Sequence, residues 1–221
     1  MLNFRRTYIG KTTVKESVMK TQNSKKTLRM TELAILISLV VVLQSISSLG
    51  VVTICLCLIP ITLGAMVLDW KGGAVLGFAF GLVAAFWGII GKDVFTFYLF
   101  SANPVMTIVI CIVKGTLAGI APALLYKWLS KYEYKNSKLV ASIVASLSAP
   151  IVNTGIFALG CLIIKKDVIE VAGKLSLDAS NFIVLLFVTL IGVNFFIEFL
   201  VNAIFSPALN KLAIMLNKRL S

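Results

Sequence analysis

Long apolar runs separated by short polar segments dominate the chain after residue 30. A helix that crosses the hydrocarbon core of a bilayer needs about 20 predominantly apolar residues, with a range of about 17 to 25. The apolar material of this chain divides into about six such runs. The pattern therefore predicts an all-α integral membrane protein with six transmembrane helices, at residues 31–47, 54–68, 72–90, 103–126, 139–164 and 182–206.

Composition supports a membrane protein and leaves no room for a soluble domain. Hydrophobic residues make up 59% of the 221, charged residues only 14%, and the mean hydropathy is +0.99. A soluble globular domain of this size would carry far more charge. We expect two regions: a basic, mostly disordered cytoplasmic leader at residues 1–29, which lacks the apolar core of a signal peptide, and a membrane domain at residues 30–221.

The net charge of +12 bears on topology rather than on a nucleic-acid partner, because most of it falls between the predicted helices. Cytoplasmic loops of membrane proteins collect Lys and Arg. With the amino terminus inside, 16 of the 21 Lys and Arg residues lie in predicted cytoplasmic segments, whereas the predicted outer segments carry four lysines and four acidic residues. The distribution predicts that both termini are cytoplasmic.

Small residues recur at intervals of four in several predicted helices, a spacing that lets helix backbones approach closely in lipid. The third helix has Gly73, Gly77 and Gly81, and the fourth has Gly115 and Gly119. For most of these faces, packing within the bundle is the favoured interpretation. In the first helix, Ala34 and Ser38 lie near the cytoplasmic end of an otherwise bulky sequence, where a partner subunit could dock.

Lys114 lies near the middle of the fourth predicted helix, and Glu198 is the one acidic residue well inside another apolar run. A lysine at the centre of a bilayer costs about 2.5 to 3.5 kcal/mol on insertion scales, so it should face a partner or a watery cavity. Both a structural ion pair and a functional role stay open for these two residues.

Two asparagines reach a similar depth on other predicted helices. At 1.5 Å per residue, Asn153 and Lys114 each lie about 16 Å below the outer ends of their helices, and Asn194 and Glu198 about 18 to 24 Å. Amides both donate and accept hydrogen bonds, so they can orient a small polar ligand. Asn153 also follows Pro150, which frees a backbone carbonyl that needs a partner or a cavity. Either a solute site or a buried structural network would explain the convergence.

Further polar and aromatic residues lie nearer the predicted outer surface. Gln44 is close to the end of the first helix, while Tyr98 and Asn103 belong to the connection between the third and fourth. Aromatic residues at such positions commonly anchor the protein at the membrane interface. The alternative is that they cover a pocket.

Catalytic chemistry finds little support in the sequence. The chain has no histidine, no pair of membrane carboxylates and no clustered metal ligands. Its four cysteines fall in apolar runs without disulfide or metal spacing, and we expect them to be small buried side chains. We therefore expect no enzymatic activity, metal or cofactor.

Several short motifs follow one another along the second to sixth predicted helices. They are IP-x-x-x-GA in the second helix, the glycine face of the third, NP and KG in the fourth, P-x-x-NTG in the fifth and N-x-x-x-E-x-x-x-N in the sixth. With six spans and a basic leader, the chain resembles the substrate-specific S components of energy-coupling factor (ECF) vitamin transporters, the group that includes riboflavin, folate and pantothenate carriers. The resemblance covers about residues 28–218.

The resemblance implies a subunit of a bacterial plasma membrane that captures a vitamin-like solute from outside. It would then topple in the bilayer when docked on a transmembrane coupling subunit that two ATPase subunits drive. In that family a small Ala-x-x-x-Ala face on the first helix mediates docking, which corresponds here to Ala34 and Ser38. The family pocket is on the outer side, and the matching substrate-binding residues would be Gln44, Tyr98, Asn103, Lys114, Asn153, Asn194 and Glu198.

The alternative is a stand-alone secondary transporter or channel for a small polar solute. Such a protein could use Lys114 and Glu198 as a proton-linked pair. The ligand is open in both cases. Lys114 makes an anionic vitamin plausible, but that argument disappears if Glu198 neutralises the lysine.

Overall fold

The computed structural model describes residues 25–46, 56–132 and 136–220. Every regular element in these ranges is helical, and the predicted leader up to residue 24 lies outside them. The helices are α1 Lys25–Ile46, α2 Leu58–Val67, α3 Asp69–Ile89, α4 Val94–Ala102, α5 Pro104–Leu129, α6 Ser137–Ile163, α7 Lys165–Lys174, α8 Phe182–Val184 and α9 Gly192–Leu220. A π-helical segment, Leu185–Leu190, joins α8 to α9. Because α1 begins at Lys25, residues 25–29, which the sequence assigned to the leader, belong to this helix.

Five helical stretches are long and apolar enough to cross a bilayer: α1, α3, α5, α6 and the run Phe182–Arg219. Large apolar side chains project outward from them, including Phe86 at 55% exposure and Ile204 at 73%. Exposed apolar surface on that scale has a natural partner in lipid rather than in water. The protein is thus an all-α, multi-pass membrane protein.

The second predicted span is shorter than the other five. The described part, α2, has ten residues and a length of about 15 Å, roughly half the hydrocarbon thickness. The beginning of this predicted span lies outside the described residues, so the count of six stays a prediction, as does the orientation of the termini.

The predicted bounds leave residues 69–71 as a short turn between the second and third helices, and this prediction is wrong in detail. The break is confined to Leu68 and Asp69, whose φ of 63° is left-handed, and α3 begins at Asp69. The amide of Leu68 donates to Gly64 O at 2.7 Å, and its carbonyl accepts from Gly72 N at 3.3 Å. Because helical hydrogen bonding resumes at once, Trp70 and Lys71 lie in the first turn of α3.

Glycines bring α3 and α5 into backbone contact. A β-carbon on Gly73 would collide with Gly119 O, and one on Gly77 would collide with Gly115 O. A β-carbon on Gly81 would lie 2.6 Å from the carbonyl oxygen of Cys111. The predicted packing of these small faces is confirmed, and it places Lys114 of α5 directly beside this tight contact.

One end of the bundle is covered by short helices. Here α3 leads into α4, and α6 leads into α7; we call it the α4/α7 end. The two short helices contact each other, and Asn103 Nδ2 donates to Asp167 Oδ2 at 2.9 Å across this contact. An apolar cluster that includes Leu99, Val168 and Leu185 packs beneath them. These contacts hold the covering segments against the long helices.

Candidate functional site

A cavity of about 150 Å³ opens between α4, α5, α6, the segment after α7 and the start of α9. Its wall includes all four of the membrane-depth polar residues that the sequence singled out. They are Lys114, Asn153, Asn194 and Glu198. Three helices that are distant in sequence thus contribute polar groups to one space, as the depth argument predicted.

The two asparagines present unsatisfied oxygens in this wall. Asn153 is only 5% exposed, and its Oδ1 has no hydrogen-bond partner; Asn194 Oδ1 has none either. Few buried polar atoms in proteins go without a partner, and each one calls for an explanation such as water, an ion or a ligand. Both oxygens belong to residues that line the cavity, so a bound solute could satisfy them.

Lys114 and Glu198 differ in burial. Glu198 is 4% exposed, whereas Lys114 is half-buried and its Nζ lies 5.0 Å from the centroid of the Phe157 ring. That distance permits a cation–π attraction. The backbone carbonyl of Glu198 accepts a hydrogen bond from Asn202 Nδ2 at 2.9 Å. Both charged residues line the same cavity, and their ion pair stays a prediction.

Asp93 adds a second carboxylate at the α4/α7 end of the cavity. It is the N-cap of α4: its Oδ1 accepts from Thr96 N at 3.2 Å, and its Oδ2 accepts from Thr96 Oγ1 at 2.7 Å. Such a cap satisfies an amide that the helix itself leaves unpaired. The carboxylate is therefore held in a defined place while it lines the cavity.

Aromatic and aliphatic side chains form the rest of the wall. Phe95 of α4 and Phe157 of α6 meet edge to face, with ring centroids 6.1 Å apart. Leu175 and Leu177, after α7, close another side. A few polar groups set in a largely apolar wall are typical of small-molecule sites.

The π-helical segment contributes Thr189 and Leu190 to the cavity wall, next to Ile191. Insertions of π-helix inside membrane or soluble helices occur often at functional sites, because they rotate the following residues and leave backbone groups differently paired. Here the segment ends at the turn that precedes Asn194 and Glu198. It therefore sets the rotation with which those two side chains enter the cavity.

Three of the seven predicted substrate-binding residues do not line this cavity. Gln44 is buried against α2, where its Oε1 accepts a hydrogen bond from Cys57 Sγ at 3.1 Å. Tyr98 packs edge to face on Phe97, and Asn103 caps α5 by accepting from Met106 N at 3.3 Å. In this arrangement each of the three has a structural contact.

The sequence interpretation missed several wall residues. Phe157 follows Asn153 by four residues, so helical spacing alone could have placed it on the same face. Phe95 and Leu177 carry no such signal, because their positions depend on how α4 and the segment after α7 fold back over the bundle.

The segment after α7 has local order of its own. Hydrogen bonds from the side chain and the backbone of Ser180 lower the pKa of Asp178 below its usual range. Asn181 then accepts from the amides of Ile183 and Val184 as the N-cap of α8. Asp178 is exposed and is not part of the cavity wall.

The predicted docking residues lie on the surface of α1. The buried face of this helix carries Leu36, Val40 and Gln44, whereas Ala34 and Ser38 are exposed. Ser38 Oγ donates to Ala34 O at 2.9 Å, so the hydroxyl is satisfied within the helix. The two residues thus form an exposed part of the α1 surface that has little side-chain bulk and little polarity.

Comparison of the chain with protein-family models, with curated proteins and with solved structures finds no match.

Proposed function

We propose that this chain is the substrate-binding membrane subunit of an ECF-type importer in a bacterial plasma membrane. It captures a vitamin or related micronutrient from outside and delivers it through a transmembrane coupling subunit that two ATPase subunits drive. The observation that carries the proposal is the cavity in which Lys114, Asn153, Asn194 and Glu198 meet.

The position of the cavity supports capture from outside. Its wall includes Asp93, Thr96 and Leu177, which belong to the segments at the α4/α7 end. The distribution of Lys and Arg favours the outer side for these segments. A solute could therefore enter from outside while the opposite end of the bundle stays packed.

The exposed small residues of α1 support a role as one subunit of a complex. Ala34 and Ser38 present little bulk, and small faces let another helix approach closely. In the proposed complex, this surface meets the coupling subunit, and the cavity stays apart from the contact.

Purification from the native membrane tests the proposal. The tagged chain should bring down a membrane subunit and two ATP-binding subunits, and uptake by the reconstituted complex should require ATP hydrolysis. Purification of the chain alone under mild detergents, together with ATP-independent uptake in liposomes, would overturn it.

A proton-linked secondary carrier is the second candidate, because Lys114 and Glu198 line one cavity. Ionisable residues at membrane depth commonly mark proton pathways. In liposomes that contain only this chain, such a carrier would accumulate solute in response to an imposed pH gradient. The importer subunit would bind the solute without accumulating it.

A further inference from the structure

The size of the cavity limits the size of what it can enclose. Its volume is about 150 Å³. A protein cavity of about 150 Å³ lined by aliphatic and aromatic side chains binds benzene, so this is the space that one six-membered ring fills. A fused two-ring or three-ring system would extend beyond this volume.

The formal charges of the wall favour a ligand that is not an anion. Asp93 and Glu198 contribute two carboxylates, and Lys114 contributes one ammonium group. That ammonium group already lies over the face of Phe157, 5.0 Å from the ring centroid. A ligand carboxylate in this cavity would lie near two negatively charged side chains and one positively charged side chain. The net repulsion would raise the free energy of the bound ligand, because the site is partly desolvated.

The unsatisfied atoms of the wall call for hydrogen-bond donors. Asn153 Oδ1 and Asn194 Oδ1 are buried acceptors without a partner. A ligand with N–H groups would satisfy these two oxygens. A ligand that brings only acceptors would leave them unpaired.

The apolar part of the wall suits a flat ring. The rings of Phe95 and Phe157 meet at an interplanar angle of 71°, and Leu177 lines the same cavity. Aromatic side chains set at such an angle can contact one face and one edge of a third ring. The polar groups would then meet the substituents of that ring.

We propose that the cavity holds a single-ring heterocycle that is neutral or cationic and donates N–H hydrogen bonds. This rests on the proposed function, because it defines the class of solute that the importer subunit captures. It also differs from the anionic vitamin that Lys114 alone makes plausible, because Asp93 lines the same cavity and the Lys114 ammonium group lies over the Phe157 ring.

Three pyridines that differ only in one substituent test the charge preference. Meta-picolylamine is cationic at neutral pH, nicotinamide is a neutral N–H donor, and nicotinate is an anion. Isothermal titration of each compound into the purified full-length chain should show the first two binding at least about tenfold tighter than nicotinate. Equal or tighter binding of nicotinate would overturn the inference. Riboflavin or folate binding to a chain that binds none of the three pyridines would also overturn it.

Substitution of single carboxylates tests whether the cavity wall produces the preference for neutral and cationic ligands. Asp93→Asn should reduce the ratio of nicotinate Kd to meta-picolylamine Kd by about tenfold, and Glu198→Gln should act in the same direction. Asp178→Asn removes an exposed carboxylate near the same end of the bundle and should leave the ratio unchanged. Both Kd values in a ratio are measured on the same purified variant, so a lower yield of folded protein does not change the ratio. An equal change in Asp178→Asn would contradict the assignment to the cavity.

The purification of ATP-binding subunits separates this inference from the proposed function. A chain that prefers nicotinate and still brings down ATP-binding subunits would keep the proposed function and lose the inference. A chain with the expected preference that never associates with ATP-binding subunits would keep the inference about the ligand and lose the importer.

Discussion

Gly77 and Gly115 oppose each other across the contact of α3 with α5, and a β-carbon on either residue would collide with the carbonyl oxygen of the other. The two helix backbones therefore lie so close together that neither position has room for a side chain. Gly73 and Gly119 repeat the relationship one turn further along. Lys114 precedes Gly115, so this contact sets where the ammonium group meets the cavity.

Gly77→Ala should lower the thermal unfolding temperature of the detergent-purified protein, because the added methyl group must push α3 away from α5. Overpacking of this kind costs about 1 to 3 kcal/mol. The matched control is Gly155→Ala on α6, where a β-carbon meets nothing within 4 Å. That variant should be as stable as the parent or more so, since alanine is favoured over glycine in helices by about 0.5 to 1 kcal/mol. Equal unfolding temperatures for both variants would mean that α3 and α5 are not in backbone contact.

Asn153→Ala and Asn194→Ala should each weaken binding of the tightest solute in the pyridine panel. The loss of one hydrogen bond to a buried group costs about 1 to 3 kcal/mol, or about 5-fold to 150-fold in Kd. Titration calorimetry measures the change. Asn210→Ala is the control, because this asparagine also has an unsatisfied Oδ1 but lies on α9 about 24 Å from Asn194 along the helix axis.

The structural alternative for the two asparagines gives a different result. If each amide only satisfies a backbone carbonyl within the bundle, the variants would unfold at lower temperature without ligand. Protein that survives purification would then bind the solute with unchanged Kd.

Lys114→Met and Glu198→Gln should each destabilise the protein, since each leaves a charge without its proposed opposite across the cavity. Breaking a buried pair costs about 3 to 5 kcal/mol, whereas replacing both members is often close to neutral. The double variant should therefore recover much of the unfolding temperature that the single variants lose. Additive losses in this double-mutant cycle would show that the two residues do not interact.

Ala34→Trp and Ser38→Trp should abolish uptake by the assembled transporter while solute binding to the isolated chain stays intact. Both side chains are exposed on α1, away from the cavity wall, and an indole ring there would block a close helix approach. Ile204→Trp, at a 73% exposed position on α9, is the control for added bulk in lipid and should leave uptake unchanged. Parallel loss of binding and uptake in the α1 variants would argue against docking at this face.

Part of the site follows from the sequence because helix geometry is regular. The depths of Lys114 and Asn153 could be counted from the ends of apolar runs, and the structure brings both residues to one cavity. Sequence spacing did not predict which polar residues at the helix ends line the cavity. Gln44 and Asn103 have the polar character of ligand-binding residues, yet one bonds to Cys57 and the other to Met106 and Asp167. Nothing in sequence spacing distinguishes a polar group that closes a helix junction from one that meets a solute.

Apolar run length was enough to predict an all-helical membrane protein and the bounds of α3, α5 and α6 to within three residues, because it depends on local composition and a fixed rise per residue. It was less accurate for the first and last long helices, since α1 begins at Lys25 rather than at residue 31 and α9 continues to Leu220 rather than ending at residue 206. Tertiary structure decided where α4 and the segment after α7 lie, and hence that Phe95, Leu177 and Asp93 join the cavity wall. It also decided that the ammonium group of Lys114 lies over Phe157. These contacts join residues tens of positions apart, and they depend on how side chains pack between helices, for which the spacing along one helix carries no information.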